Sequence, residues 1–266
     1  MTTVSHAVAS SLRSRLQGPM GHVGGFARMT VLTFRGIFGS PWEWRELIDQ
    51  AWFLLRVTIL PTVLAAIPLT VLLTFTLNVL LAEFGAADIA GAGAALGAVT
   101  QLGPLTTVLV VAGAGSTAIC ADLGARTIRE EIAALETMGI DPITRLVVPR
   151  VLAATLVASL LNSLVITVGL VGGFIFSVYL QDISGSSFLS TMTLVTGMPE
   201  VLIAAVKAIS FGLVAGLVGC YRGLTASGGA KGLGTAVNET VVLCVIALYA
   251  INVILTTIGV RFGTGH

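Results

Sequence analysis

The residues that could perform chemistry are few, and they do not cluster. The three histidines lie at or near the termini: His6, His22 and His266. The three cysteines lie in or beside apolar runs and form no CxxC or metal-ligand pattern: Cys120, Cys220 and Cys244. No Ser/His/Asp set, carboxylate pair or metal constellation can be assembled from the sequence. We therefore expect a chain that is not an enzyme, with thiols that are buried apolar groups rather than metal or redox ligands.

The sequence also lacks a nucleotide-binding loop. No GxxxxGK(S/T) run occurs, and that is the run whose backbone amides cradle phosphates. The nearest glycine cluster, "SGGAKGLGT" at 227–235, has no Lys-Ser/Thr after its second glycine and predicts a flexible cytoplasmic turn. The chain is therefore expected to hold no cofactor, and ATP with its Mg²⁺ would be bound by a separate ATPase.

One charged stretch interrupts an otherwise apolar chain: "DLGARTIREEIAALETMGIDPITRLVVPR" at 122–150. On a helix over 124–139, apolar residues fall at i, i+4, i+7 and i+11 and form a narrow stripe: Ile128, Ile132, Leu135 and Gly139. The other face is largely polar: Arg126, Arg129, Glu130, Ala133 and Thr137. The helix should stop near Gly139, followed by a turn at Asp141–Pro142.

The polar face of helix 124–139 has no function inside a membrane-embedded monomer. A docking surface for a soluble partner would give it one, and an ATPase that supplies energy in trans is the expected partner. The alternative is a helix that only rests on the bilayer surface.

Membrane spans are the elements that position this helix. Hydrophobic residues make up 55% of the 266-residue chain and charged residues 10%, with a mean hydropathy of +0.98, whereas soluble domains carry about 25% charged residues. A span needs roughly 20 mostly apolar residues. Five stretches qualify: about 57–82, 96–120, 151–178, 200–220 and 237–259. The predicted fold is an all-α integral membrane protein with five transmembrane helices, and helix 124–139 connects the second and third.

The positions of Lys and Arg predict the orientation. Segments 1–56, 121–150 and 221–236 hold all but two of the 14 basic residues, and the alternate loops at about 83–95 and 179–199 hold none. We therefore expect the N-terminus in the cytoplasm and the C-terminus outside the plasma (inner) membrane. The loop at 179–199 is apolar enough for a short helix at the outer surface. A net charge of +1 gives no basic field for nucleic acid.

Residues 1–56 are predicted to form a cytoplasmic N-terminus with an interfacial helix, and residues 57–266 the transmembrane domain. The stretch 30–56 mixes tryptophan with arginine, which is typical of a helix in the headgroup layer. The alternative is an amphipathic helix packed on the protein. Pro41 is expected to break this stretch in two.

Polar side chains inside the predicted spans could line a substrate cavity. Lys207 lies about seven residues from Glu200 and is the one basic residue within a span. Three interpretations stay open: contact with an anionic substrate group, snorkelling to the outer interface or pairing with Glu200. Asn78, Asn162 and Asn252 either form hydrogen bonds between helices or line a translocation path.

Residues 101–150 closely resemble the signature region of the MlaE/YrbE permease family, the membrane subunits of lipid-transporting ABC systems that work with MCE proteins. The matching parts occur in the family's order: "LGP" at 102–104, "AGAGS" at 112–116, "ADLG" at 121–124, Glu130, Glu136, "DP" at 141–142 and "PR" at 149–150. The resemblance continues through "YRGLTASGGAKGLGTAVNETVV" at 221–242 and covers most of the chain after about residue 25. The chain looks most similar to the actinobacterial, mycobacterial-type YrbE branch.

This resemblance implies a transporter of several subunits. Two permeases, different ones in this branch, form a dimer with a lipid cavity between them, and an MCE assembly on the outer face carries lipid through a tunnel. A cytoplasmic ATPase dimer docks on the connecting helix, and the implied coupling residues follow: Arg126, Arg129, Glu130, Glu136 and Asp141. The implied function is ATP-driven passage of a fatty acid, mycolic-type lipid or sterol, and the branch suggests import.

Two positions depart from the family pattern. Ala114 stands where many members have an arginine, and Asn252 stands where some have an acid. Both changes remove charge from the implied cavity, whose candidate residues here are Lys207, Asn78, Asn252 and Ala114, and the partner subunit could supply such charge instead. The alternative function is a non-transporting membrane scaffold that recruits a soluble partner through helix 124–139. An autonomous channel or carrier is disfavoured because the spans hold almost no ionisable residues.

Overall fold

The computed structural model describes residues 19–39, 44–85, 89–180, 184–195 and 197–263. Within these ranges the regular structure is helical and no strand occurs. Five of the described helices are long and apolar enough to cross a membrane, which confirms the predicted number. We call them spans 1 to 5: Trp44–Glu83, Gly91–Ile128, Ile143–Leu180, Pro199–Leu224 and Gly229–Gly259.

Shorter helices join or precede the spans. Helix Pro19–Gly39 comes before span 1, and a short helix, Glu131–Thr137, lies between spans 2 and 3. The helix predicted between spans 3 and 4 is present as Gly185–Val195. Three stretches within the spans are π-helical, with one extra residue per turn: Gly97–Leu102, Val111–Gly115 and Ile143–Val147.

The stretch 30–56, which is predicted to be interfacial and broken at Pro41, contributes to two helices of the structure. Its first part belongs to Pro19–Gly39, and its second part forms the first turns of the helix that becomes span 1. No glycine or proline occurs between Trp44 and Leu60, so nothing interrupts the helix at residue 56. Pro41, the predicted break, lies in 40–43, outside the described residues.

Helix Pro19–Gly39 packs on the beginning of span 3 and the end of span 4. A Cβ on Gly36 would meet Val148 Cγ2 at 2.8 Å, so the helix backbone lies directly on the span 3 side chains. Phe26 meets Tyr221 edge to face, with ring centroids 5.5 Å apart. The N-terminal helix therefore contacts the same end of the bundle that holds helix Glu131–Thr137.

Span 1 packs on the bundle through a row of buried side chains, mostly threonine, that repeats every four residues. The buried members of this row follow: Leu54, Thr58, Thr62, Ala66, Thr70, Thr74 and Asn78. Several of these threonine hydroxyls donate to the carbonyl four residues earlier, as Thr70 does to Ala66 at 2.7 Å, which leaves the methyl groups free to pack. On span 3, Gly169 and Gly173 face Thr70 and Thr74, and the row ends at a hydrogen bond from Asn78 to Ser177.

Spans 3 and 4 approach closely at two glycines that lie four residues apart, Gly212 and Gly216. A Cβ on Gly212 would lie 2.5 Å from both the Ala154 carbonyl oxygen and the Thr155 Cα. A Cβ on Gly216 would lie 3.1 Å from the Val151 Cα. Backbone meets backbone here, so the contact has no flexible side chain that could move aside.

Replacing Gly212 with alanine is therefore expected to destabilise the bundle by about 1–3 kcal/mol, because spans 3 and 4 must separate to admit the methyl group. Thermal unfolding of the purified protein in detergent measures this as a lowered midpoint. The matched control is Gly172→Ala in span 3, where a Cβ meets nothing within 4 Å. Equal midpoints for both variants would contradict the close packing described here.

Burial separates central from peripheral spans. Within the most apolar window of each span, 56% of span 2 and 50% of span 4 is buried, against 22% of span 1 and 17% of span 5. The exposed side chains of span 5 are large and apolar, among them Ile246, Val253 and Ile254. Such faces suit lipid or another membrane subunit rather than water.

The glycine cluster at 227–235 is not a flexible turn, contrary to the sequence-based prediction. Gly228 and Gly229 have φ of +85° and +68°, a conformation that glycine adopts at no steric cost, and the chain reverses there. The helix of span 5 begins at Gly229, so most of the cluster is helical.

Candidate functional site

The charged connector, residues 129–142, joins spans 2 and 3 and is not part of one helix over 124–139. The helix of span 2 continues to Ile128, and a separate helix covers Glu131–Thr137. Glu130 divides them, because its φ of 60° lies in the left-handed region. Arg126 consequently belongs to the end of span 2, and Arg129, Glu130 and Glu136 belong to the connector.

Interactions on both sides of Glu130 hold this break in place. A left-handed non-glycine residue costs about 1–3 kcal/mol and persists only where its surroundings fix it. Before the break, the Thr127 hydroxyl lies 3.1 Å from the Gly223 carbonyl oxygen of span 4. Across the break, Arg129 Nε donates to Glu131 Oε1 at 2.8 Å. The connector thus leaves span 2 in a fixed direction.

The helix of the connector is shorter than the predicted helix 124–139, and its residues differ in burial. Ile132 and Leu135 are half-buried and pack on the core of the bundle. Exposed residues of the connector include Arg129, Glu130, Ala133, Ala134, Glu136, Thr137 and Met138. The helix is followed by Gly139 at φ +77°, close to the predicted stop. A charged, solvent-facing surface is therefore held at one end of an apolar bundle.

Asp141 forms the N-cap of the next helix rather than an isolated turn. Its carboxylate accepts hydrogen bonds from the backbone amides of Ile143 at 3.2 Å and Thr144 at 3.3 Å. Pro142 occupies the first helical position, where its missing N–H leaves no partner unpaired. Asp141 therefore fixes how the connector enters span 3.

A buried ion pair that the sequence interpretation missed joins spans 2 and 3 beneath the connector. Arg150 Nη2 lies 2.6 Å from Asp122 Oδ2, and Arg150 Nη1 donates to the Leu146 carbonyl at 2.9 Å. The Arg150 side chain is 0% exposed, whereas that of Asp122 is 30% exposed. Asp122 Oδ1 also meets Arg126 Nε at 3.4 Å. The sequence contained a signal for this pair, because an acid lies late in span 2 and an arginine early in span 3.

Lys207 lies inside the bundle towards the other end, away from the connector. Its side chain is 2% exposed, and Nζ donates to Thr256 Oγ1 of span 5 at 2.8 Å. That hydroxyl in turn donates to the Asn252 carbonyl at 2.6 Å. Among the described residues no carboxylate lies within ion-pair distance of Lys207, so the structure does not show the pairing with Glu200.

The three asparagines occupy different environments, and the structure does not bring all the predicted cavity residues together. Asn78 lies in the contact of span 1 with span 3, where it donates to Ser177 Oγ at 2.9 Å. Asn162 donates to the Ala204 carbonyl of span 4 at 3.4 Å, one turn from Lys207. Asn252 is buried beside the Lys207–Thr256 pair, and its Oδ1 has no partner. Ala114 lies in a π-helical turn of span 2, packed on the core.

The buried lysine and the charged connector therefore lie at different depths of one apolar bundle. The fold and these two features define a multi-pass membrane protein with a charged surface at one end of its bundle. Within the described residues, no group of His, Cys, Asp or Glu is arranged to hold a metal ion.

Comparison with known proteins gives the family. The model of the family described as permease MlaE matches residues 47–258. A probable ABC transporter permease protein of Synechocystis sp. is 34% identical over 182 residues, 68% of this chain and 69% of that protein. The intermembrane phospholipid transport system permease protein MlaE of Haemophilus influenzae is 30% identical over 188 residues, 70% of this chain and 71% of that protein. The chloroplastic TRIGALACTOSYLDIACYLGLYCEROL 1 of Arabidopsis thaliana is 29% identical over 157 residues, 59% of this chain and 45% of that protein.

The chain belongs to the MlaE permease family. It is an ABC transporter permease of a lipid-transport family, and the resemblance carried by residues 101–150 is confirmed at this level.

Proposed function

We propose that this chain is a permease subunit of an ATP-driven lipid importer of the actinobacterial YrbE branch. It pairs with a second, different permease to enclose a lipid cavity, receives lipid from an MCE protein tunnel on the outer face, and is driven by an ATPase dimer that binds ATP and Mg²⁺. The observation that carries this proposal is the connector, which exposes charge in an otherwise apolar chain while Ile132 and Leu135 hold it on the core.

The connector is the docking surface for the ATPase. Arg129, Glu130 and Glu136 are exposed on it, and Arg126 and Asp141 fix the chain at its two ends. The basic residues concentrate at the same end of the bundle, which supports a cytoplasmic position by the positive-inside rule. The N-terminus then lies in the cytoplasm and the C-terminus outside.

The cargo is an anionic lipid, a fatty acid or mycolic-type lipid rather than a sterol. A buried ammonium group without a counter-ion is unfavourable in a membrane interior, so it calls for an anion from elsewhere. Within the described part of the chain, Nζ of Lys207 makes one hydrogen bond, to Thr256, whereas an ammonium group can donate three. A lipid carboxylate can take the remaining donors, whereas a sterol hydroxyl brings no charge.

Affinity purification from the native membrane, followed by mass spectrometry of proteins and lipids together, tests this proposal. We expect a second permease, an ATPase and MCE proteins, with anionic lipid enriched over the bulk membrane. Recovery of the chain with unrelated partners and only bulk lipid would overturn it. Enrichment of a sterol would overturn the cargo alone, and recovery of an ATPase without any enriched lipid would favour the scaffold.

Replacing Lys207 with methionine is expected to lower the enrichment of anionic lipid at least tenfold. A hydrogen bond to a charged group contributes about 1.5–3 kcal/mol, and 1.4 kcal/mol corresponds to tenfold. The ratio of anionic to neutral lipid bound to the purified complex measures the effect. Ser210→Ala is the matched control, since Ser210 lies on the same helix and its hydroxyl bonds only the Val206 carbonyl. An unchanged ratio in Lys207→Met would rule out headgroup contact at this position.

A further inference from the structure

Asp122 precedes the connector in the sequence and Arg150 follows it, so their ion pair joins the two ends of the segment that contains the whole connector. The two residues are 28 positions apart in sequence, and every residue between them belongs to the end of span 2, the connector or the start of span 3. Their side chains meet at 2.6 Å, so the two spans are tied at the level where the connector leaves and re-enters the bundle.

The connector itself is weakly attached. No residue of helix Glu131–Thr137 is buried, and its contact with the core rests on the half-buried Ile132 and Leu135. A force on its exposed residues therefore passes to the bundle mainly through the two ends of the connector, in spans 2 and 3. Asp122 and Arg150 prevent independent movement of the two ends, because Arg150 is fully enclosed and also bonds the Leu146 carbonyl.

We infer that Asp122 and Arg150 are positioning residues whose ion pair keeps spans 2 and 3 together, so that a movement imposed on the connector reaches the lipid-binding region. We call this ion pair the lock. This inference rests on the proposed function, in which an ATPase pushes on the connector. Hydrophobic replacement of a buried ion pair is often neutral or stabilising, so stability alone gives no reason for a buried arginine here. A charge-assisted ion pair fixes the distance and the relative orientation of its two side chains, whereas an apolar contact does not.

The test measures lipid moved per ATP hydrolysed in vesicles that contain the complex with its co-purified ATPase, with fluorescently labelled palmitate as the probe. The variants are Arg150→Met and the apolar pair Asp122→Leu with Arg150→Met. In both we expect at least a tenfold lower ratio of palmitate to ATP, with ATPase association within twofold of wild type. Arg150→Lys keeps a cation and should recover part of the ratio.

Glu239→Gln is the matched control. It breaks the ion pair between Arg222 and Glu239, which joins spans 4 and 5 at the same end of the bundle but does not enclose the connector. This variant should keep the wild-type ratio within twofold. The lock would be overturned if the Arg150 variants kept the wild-type ratio of palmitate moved to ATP hydrolysed. It would also be overturned if palmitate transport fell only in proportion to the amount of complex formed.

A second measurement needs no transport. Spin labels at the exposed positions Thr137, on the connector, and Leu160, on span 3, report the distance between the two elements in the purified complex. We expect a narrow distribution in wild type and a clearly broader one in the apolar pair; equal widths would overturn the lock. Failure of the wild-type chain to retain an ATPase would instead refute the proposed function, and the lock with it, before any variant is compared.

Discussion

Glu136→Arg is expected to weaken association of the ATPase with this permease by about thirtyfold or more. Glu136 is exposed on the connector helix, four residues after Ile132 and therefore beside the half-buried side of that helix. A docking partner complementary to this acid would meet a like charge after the reversal, which costs several kcal/mol at an interface, and about 2 kcal/mol already corresponds to thirtyfold. Titration of the purified ATPase against permease in lipid nanodiscs measures the change in Kd.

Asp49→Arg is the matched control for this prediction. It makes the same charge change at the same end of the bundle, on an exposed position of span 1 outside the connector. We expect its Kd to stay within about threefold of wild type. A comparable loss in Asp49→Arg would indicate a general field effect, and an unchanged Kd in Glu136→Arg would remove this face of the connector from the interface.

The second large effect is a loss of stability, and its size depends on which partner of the Asp122–Arg150 pair is replaced. Asp122→Leu leaves the guanidinium of Arg150 at 0% exposure without its carboxylate, and breaking a buried pair in this way costs about 3–5 kcal/mol. Arg150→Met is milder, because the Asp122 side chain is 30% exposed and keeps Arg126 as a neighbour. The apolar pair Asp122→Leu with Arg150→Met removes both charges, so it should recover most of the loss.

Unfolding midpoints in detergent test this order. We expect Asp122→Leu to fall by on the order of 10 °C, Arg150→Met by less, and the apolar pair to lie near wild type. Arg126→Met removes the half-exposed partner of Asp122 and serves as the control with a small effect. If Asp122→Leu were as stable as the apolar pair, burial of the Arg150 guanidinium would not require the Asp122 carboxylate, which would contradict this prediction.

The number of spans could be predicted from the sequence because hydrocarbon length is a strong local signal. The inward side of the connector could also be predicted, since Ile132 and Leu135 show the helical period directly. The extent of span 1 could not be predicted from hydropathy, because its first turns carry charged residues and join the apolar run without a helix breaker.

The details missed at the site depend on contacts between distant residues. Arg150 looks like a basic residue at a membrane boundary, and only the packing of spans 2 and 3 shows that it is enclosed and paired with Asp122. Glu130 is likewise an ordinary helix former in sequence. Its left-handed backbone follows from the fixed directions of span 2 and the connector, which no local pattern encodes.

The π-helical turns of span 2 change which way its side chains point. Each turn inserts one residue relative to an α-helix, which rotates the following stretch by about 100°. The span is thereby divided in three: Ala90–Leu96 packs mainly on helix Gly185–Val195, Gly103–Val110 on span 3, and Ser116–Ile128 on spans 4 and 5. Crosslinks from one side of this span would therefore not all reach the same neighbour. The preferred crosslinking partner would change at 97–102 and again at 111–115.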